Sequence, residues 1–515
     1  MNKNRLKIAS RNIFFASLNK IYITVVPFAI RTVFIYIFGV EYIGLNSLFA
    51  SVLGVLDLAE LGVGTAMTYS MYKPMHEHDV KTVSALLNYF RKCYILIGLI
   101  VAGFGAALIP FVHILVKSDI PDGVNIYFIY FINLLGTLST YFFFSYKRCI
   151  FIADQRNDID SKIAIFSSTI LYIIQFIILV FLNNYYLFIS VVPICNIISN
   201  LMVSIVAKLK YPEYICAGHI TSVQKNELRS KIKALFFVKF GNVVLYSVDN
   251  IVISAFLGLS VLGLYSNYNY IYTSVNSFIG LLTASIVSSI GNSIVTQNRS
   301  QNYDDFLKLS FWNFWLVGWC TVCFVCLYQP FIKIWVGDNY LLPVYIPVVI
   351  SMYFYVIQSN QVAGAYKDAA GIWESDKFRP LITALVNLFF NILLVNYIGL
   401  YGIVLSTLLS FLFVNFPWII INVHKLVFAS STHKYFLMWI RNTLCTIFAC
   451  FSTYFLCEFA ELYNSIVSFC IKLLICIIFP NLIFVSIFCK LPVFRDGLVA
   501  VRTIILRGTR RRESR

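Results

Sequence analysis

The sequence predicts an all-α polytopic membrane protein of about 14 transmembrane helices, arranged as two pseudo-symmetric six-helix bundles plus a C-terminal helix pair. Three observations carry that prediction. The 515 residues are 59% hydrophobic and only 12% charged, too little charge to cover the surface of a soluble chain. Apolar runs long enough to cross a bilayer recur from end to end, each near the ~20 residues that a span needs. Finally, short sequence anchors repeat in order at an almost constant offset.

The expected spans fall at 12–38, 44–71, 84–112, 125–146, 163–182 and 185–207 in the first half. They continue at 234–256, 262–293, 309–332, 343–366, 380–396 and 400–422, and end with 437–457 and 464–489. The basic start MNKNRLKIASRN leads into an apolar run too long for a signal-peptide core and without a small-residue cleavage site. We read it as an uncleaved first span. With that end inside, nearly all of the 40 Lys and Arg fall in or beside inner segments, and only Lys117 and Lys333 lie outside. An even span count follows, with both termini cytoplasmic. The formal net charge of +17 then belongs to a face opposite anionic lipid. Nucleic acid is excluded as a partner, because the cations are scattered over short loops with no aromatic-interleaved soluble domain.

The repeat rests on three anchors. Phe38–Leu45 reappears as Leu257–Leu264, Pro110–Ile114 as Pro330–Ile334, and Tyr146-Lys147 as Tyr366-Lys367, at offsets of 219 or 220. Both halves start inside and hold six spans, so the repeat is parallel, with its axis along the membrane normal, as in secondary transporters. The expected organisation is a first bundle over 1–207, a cytoplasmic linker over 208–233 and a second bundle over 234–425. Appended helices over 426–490 and a basic cytoplasmic tail over 491–515 complete it.

Ionisable residues at membrane depth are the default functional candidates, since a buried cation costs ~2.5–3.5 kcal/mol or more. The first span holds two, Lys20 and Arg31, on one helical stripe with Ser17, Thr24 and Pro27. Asp57 and Glu60 in the second span share a face with Gly64 and Thr68. The seventh span offers Lys239, Asn242, Tyr246 and Asp249, and the eighth offers Asn276. The offset sets Arg31 against Asn250, beside Asp249. Polar faces on spans 1, 2, 7 and 8 imply a cavity between the bundles. The structural alternative is an Arg31–Glu60 ion pair that binds nothing. Lys239 also fits a snorkelling interface residue, and Lys472, alone in the last span, one that reaches outward or meets an anionic headgroup.

Other signals point to packing. Cys320, Cys323 and Cys326 form CxxCxxC inside an apolar run without a nearby histidine, which reads as a helix face and not as a metal site. His76 and His78 read as a solvated loop. No phosphate loop, nucleophile elbow or HExxH motif occurs, and the loops are short, so ATP-driven transport and enzymatic activity are not expected.

Three stretches resemble a known family. PFAIRTVFIYIFGVEYIGLNSLFASVLGVLDLAELGVGTAMTYSMYKPM resembles the start of Wzx-type polysaccharide-transport proteins, the flippases for lipid-linked oligosaccharides. They belong to the multidrug/oligosaccharidyl-lipid/polysaccharide exporter superfamily. SVDNIVISAFLGLSVLGLYSNYNYI is similar to the start of that family's second bundle, and KFRPLITALVNLFFNILLVNYIGLYGIVLST to its eleventh and twelfth spans. The resemblance fades after about residue 425.

It implies alternating access in a bacterial cytoplasmic (inner) membrane and a substrate of undecaprenyl-diphosphate-linked oligosaccharide, for O-antigen, capsule or exopolysaccharide assembly. Arg31 matches a first-span arginine that meets the diphosphate, with Lys20 beside it. Asp249 matches a recurrent acid, while Asp57 departs from the small neutral residue the family favours. Glu60 and Asp249 are candidates for coupling to a proton or sodium ion; no other cofactor is expected. Membrane lipids and the polysaccharide polymerase machinery are the expected partners. The alternatives are a cation-coupled multidrug antiporter of the same superfamily and a lipid II flippase, whose extra helix pair the last two spans resemble.

Overall fold

The computed structural model describes residues 3–56, 63–461 and 465–497. They are helical almost throughout. In chain order the helices are α1 (Lys3–Phe38), α2 (Val40–Leu56), α3 (Val63–His76), α4 (Val80–Leu108), α5 (Ile126–Ser139) and α6 (Arg148–Ala153). Next come α7 (Asn157–Ile177), α8 (Tyr185–Lys210), α9 (Ser222–Leu257), α10 (Leu259–Thr296) and α11 (Arg299–Val336). The remainder are α12 (Tyr345–Ser359), α13 (Gln361–Ala370), α14 (Arg379–Ser410), α15 (Phe416–Val423), α16 (His433–Glu458) and α17 (Ser465–Phe488). Among the described residues the expected spans fall mainly on helix. Among the described residues nine helical stretches are individually long and apolar enough to cross a membrane, and α2 and α5 are shorter apolar helices. The chain is a multi-pass membrane protein.

The differences from the expected spans have local causes. The expected second span falls on α2 up to Leu56 and on α3 from Val63, and its middle, 57–62, lies outside the described residues. Spans 11 and 12 run together in α14, but Ile398 and Gly399 leave helical geometry, with Gly399 at φ +55, so the chain bends where the two spans were separated. Span starts are well capped. Asp79, Asn125 and Asn184 accept backbone N–H groups at the starts of α4, α5 and α8, and Thr221 with Gln224 forms a reciprocal capping box at the start of α9. Lys117, one of the two basic residues outside the inner segments, donates to the Phe256 carbonyl near the end of α9 at 2.6 Å, where a cation complements the helix terminus.

By contacts the chain divides into two compact units, residues 1–270 with 373–406, and residues 271–372 with 407–515. In the first, α1 packs on α7, α2 on α9, and α5 on α8. The N-terminal part of α1 is tied to the start of α7. Asp158, fully buried, meets Arg11 at 3.1 Å, Arg156 at 3.0 Å and Lys162 at 3.4 Å. Asn12 adds two backbone bonds, to Gln155 and from Asp158. In the second unit α11 is the central helix, packed against α12, α16 and α17. A tryptophan stripe on α11 docks α17: Trp315 donates to Asn481 and Trp319 to the Cys476 carbonyl, each at 2.8 Å.

The internal repeat is visible atom by atom in the first unit. Gly39 and Gly258, 219 residues apart, have φ +94 and +95 and end the helix before each at the same point. A side chain in that conformation is strained, so both corners require glycine. Gly44 lies so close to the Leu259 carbonyl that a Cβ would come within 2.1 Å of it; Gly263 lies against the Val40 carbonyl at the same 2.1 Å. Each residue of one contact is the 219-offset partner of one in the other. Ser47 and Ser266, another such pair, hydrogen-bond at 2.8 Å, and Ser260 donates to Glu41 at 3.3 Å. These reciprocal contacts define a local two-fold axis between the start of α2 and the start of α10.

Candidate functional site

Arg31 stands three residues before the buried pair Phe34–Ile35 and four after Pro27, inside α1. Its guanidinium is half-buried and held by neutral groups. Nε and Nη2 donate to Asn267 Oδ1 at 3.0 and 2.9 Å, and Nη2 also donates to Ser266 Oγ at 2.9 Å. The ring of Tyr270 lies 5.2 Å from the guanidinium carbon, close enough for a cation–π contact. Tyr270 is itself fixed by its hydroxyl, which donates to the Thr24 carbonyl at 2.8 Å, and by stacking on Phe28. No carboxylate pairs with Arg31 among the described residues. Nη1 makes no hydrogen bond there and remains available to a ligand.

This arrangement borders a cavity of about 300 Å³ lined by Pro27, Arg31, Asn46, Ser47, Gln175 and Tyr270, with apolar neighbours. Asn46 accepts from Tyr185 at 2.7 Å, which orients its amide. Asn267 is fully buried, and its Nδ2 has no partner among the described residues. Two guanidinium donors fix its Oδ1, which forces that amine to point away from the cation. Leaving it unsatisfied costs ~1–3 kcal/mol, a penalty the fold tolerates to hold Arg31.

A second, larger cavity of about 970 Å³ opens in the same unit. Gly64 and Thr68 of α3 face it, as do Lys239 of α9 and Arg148 at the start of α6. Arg148 donates to Ser199 at 2.9 Å and meets Asp160 at 3.2 Å. Of the polar faces expected on spans 1, 2, 7 and 8, Arg31, Gly64, Thr68 and Lys239 line one or other of these two cavities. Lys239 is half-buried at the chamber wall. Arg148 was not among the sequence candidates, because it follows an inner loop and reads as a topology signal. Its place directly after the repeated Tyr146-Lys147 anchor was the available clue.

The remaining candidates separate. Lys20 is half-buried on the Arg31 stripe of α1. Asn250 turns toward α2 and donates to Ser51 at 2.9 Å. Because Arg31 and Asn250, and Ser51 and Tyr270, are offset pairs, this contact is the repeat's counterpart of Arg31 on Tyr270. Asp249 points elsewhere: it is buried and accepts from Asn391 of α14 at 2.7 Å, with Asn387 next in the chain of amides. It does not line the Arg31 cavity. Asn242 is half-buried on α9. Asn276 belongs to the second unit, where it accepts from Gln358. Asp57 and Glu60 lie outside the described residues. Lys472 is buried in α17 with Glu461 at 3.6 Å, so it is not the solitary cation its sequence context suggests.

No protein-family model matches the chain, and no curated relative does. Solved structures match its fold. The chain is similar to a lipid II flippase, MurJ, in an inward closed conformation, with a TM-score of 0.66 and 15% identity. The match covers 93% of this chain and 99% of that one. It is also similar to an inward-facing multidrug resistance MATE family transporter of the MOP superfamily, with a TM-score of 0.57, 13% identity, and 79% and 96% of the two chains covered. A MOP superfamily transporter from Pyrococcus furiosus, described as having a binding pocket of reverse polarity, matches with a TM-score of 0.52 and 13% identity, over 80% and 95%. The fold is therefore that of MurJ and the MATE transporters. The match to MurJ extends further along this chain than the MATE matches do.

Proposed function

We propose that this protein is a flippase that moves an undecaprenyl-diphosphate-linked oligosaccharide from the inner to the outer leaflet of a bacterial cytoplasmic membrane. The observation that carries the reading is Arg31: an intramembrane guanidinium held by neutral groups among the described residues, at the wall of a largely apolar cavity that also presents Asn46, Ser47 and Gln175. A diphosphate is the ligand that suits it, since a guanidinium fork matches phosphate oxygens bidentately. Asn46, Ser47 and Gln175 around the same cavity offer hydroxyl and amide groups to a sugar.

In this reading both termini are cytoplasmic, and the glycine corners at Gly39 and Gly258 are at the outer end. The chain comprises two six-helix halves, 1–207 and 234–425, joined by 208–233 and followed by the helix pair. The tight Gly44 and Gly263 contacts hold the outer end shut while the substrate enters from the inner leaflet. The large chamber with Lys239 and Arg148 admits the glycan-diphosphate, and Arg31 receives the diphosphate. Asp249 and Glu60 are the acids available for coupling to a proton or sodium ion, and the polysaccharide polymerase machinery is the partner that takes over the product.

The test is Arg31→Ala in the producing cell. Surface polysaccharide is expected to disappear at normal protein level, while lipid-linked repeat units accumulate on the inner side. Normal polymer export by that variant rules out the diphosphate role. The second reading is a lipid II flippase, favoured by the extent of the MurJ match; accumulation of lipid II on deletion, in place of a longer oligosaccharide-lipid, selects it. A multidrug antiporter is disfavoured because the cavity presents a cation to its ligand.

A further inference from the structure

We propose that Cys326, Cys457 and Cys476 form a buried tris-thiolate site for zinc(II) where α11, α16 and α17 meet. The three sulfurs lie within 4.8 Å of one another, and all three residues are buried. In a zinc–thiolate site with bonds near 2.3 Å, tetrahedral geometry sets sulfurs about 3.8 Å apart. The cluster therefore needs a contraction of about 1 Å at most, within reach of side-chain rotation. The cysteines come from three helices that share a core rich in aromatic side chains. Cysteines used only as small apolar residues have no reason to converge three at a time on one point.

The surroundings suit a soft cation. Cys323, one turn before Cys326 on α11, approaches the Cys476 carbonyl with its sulfur at 4.0 Å, and so adds a fourth thiol beside the cluster. Among the described residues no histidine or carboxylate side chain belongs to the cluster, so the donor set there is all sulfur. Trp319 holds the Cys476 carbonyl at 2.8 Å, which fixes the backbone of one ligand. Loading exchanges three thiol protons for one Zn²⁺, giving a centre of charge −1. Lys472 is one turn before Cys476 on the same face of α17 and supplies the compensating +1. Its contact with Glu461 is to a largely exposed carboxylate at 3.6 Å, which solvent screens. Cys326, Cys457 and Lys472 all line a cavity of about 390 Å³, which gives the ion a way in. The CxxCxxC run on α11 does not itself chelate: only Cys326 of the run enters the cluster, and its co-ligands are more than a hundred residues away.

The experiment uses the full chain, purified under reducing conditions into nanodiscs and exposed to zinc sulfate, with excess metal removed by gel filtration. Elemental analysis should find about one zinc per chain. Cobalt(II) in its place should give thiolate-to-cobalt charge-transfer absorption. Cys326→Ser, Cys457→Ser and Cys476→Ser should each abolish retention, while Cys470→Ser, at an exposed position on α17, should keep it. The wild-type cobalt spectrum tests the site even where a serine variant fails to fold. Monodisperse wild-type protein that retains no zinc, variants that retain as much as wild type, or an intact mass showing a disulfide within the cluster would each overturn the proposal.

Discussion

A guanidinium at membrane depth keeps its charge only if something replaces its water, and around Arg31 that role falls to Asn267, Ser266 and Tyr270. Asn267→Asp places a carboxylate where the amide oxygen now accepts. The shape is kept and the charge is neutralised. Transport is then expected to fall as far as in Arg31→Ala while protein level is unchanged; Asn267→Asp with wild-type transport counts against a charge role for Arg31. Asn267→Ala removes two charge-assisted bonds worth ~1.5–3 kcal/mol each to such a group. It should weaken substrate binding roughly tenfold or more, measured as a rise in half-saturating substrate. Arg31 was legible in the sequence because a cation in an apolar run has few bland explanations. Asn267 was not, since it is one of two asparagines in SNYNY and only the fold shows which of them reaches back 236 residues. Asp249 shows the converse: helical spacing placed it on the polar face of its span, but did not reveal that its carboxylate turns toward Asn391.

Single glycines decide how closely the helices approach. Gly318 of α11 faces α16 so tightly that a Cβ would meet Thr446 Oγ1 at 2.6 Å and Phe484 of α17 at 3.2 Å. Gly318→Val therefore pushes the helix pair away from α11, at a cost of ~1–3 kcal/mol for overpacking. A lowered unfolding temperature of the purified protein checks it; an unchanged one means that α16 yields without strain. The offset repeat reads directly onto structure here, because Gly39 and Gly258 share one backbone conformation and Gly44 and Gly263 share one contact. Those positions were visible as a motif because their constraint is on the backbone, which tolerates no other residue.

For the whole molecule, alternating access requires that the contacts around the local two-fold axis open during the cycle. Ser47 and Ser266 sit on that axis with their hydroxyls 2.8 Å apart. A Ser47→Cys/Ser266→Cys pair should cross-link on mild oxidation, block transport, and recover with reductant. Cross-linked protein that still transports shows that this corner need not separate. The all-helical, multi-pass fold followed from hydropathy, which acts over whole segments. Cavity membership did not, because it depends on how helix faces are turned against each other. The most direct measurement reconstitutes the protein in liposomes and follows translocation of a polyprenyl-diphosphate oligosaccharide. The account predicts transport by wild type, at least roughly tenfold slower transport by Arg31→Ala, the loss of one charge-assisted contact, and an intermediate rate for Arg31→Lys. Equal rates in wild type and Arg31→Ala would contradict it.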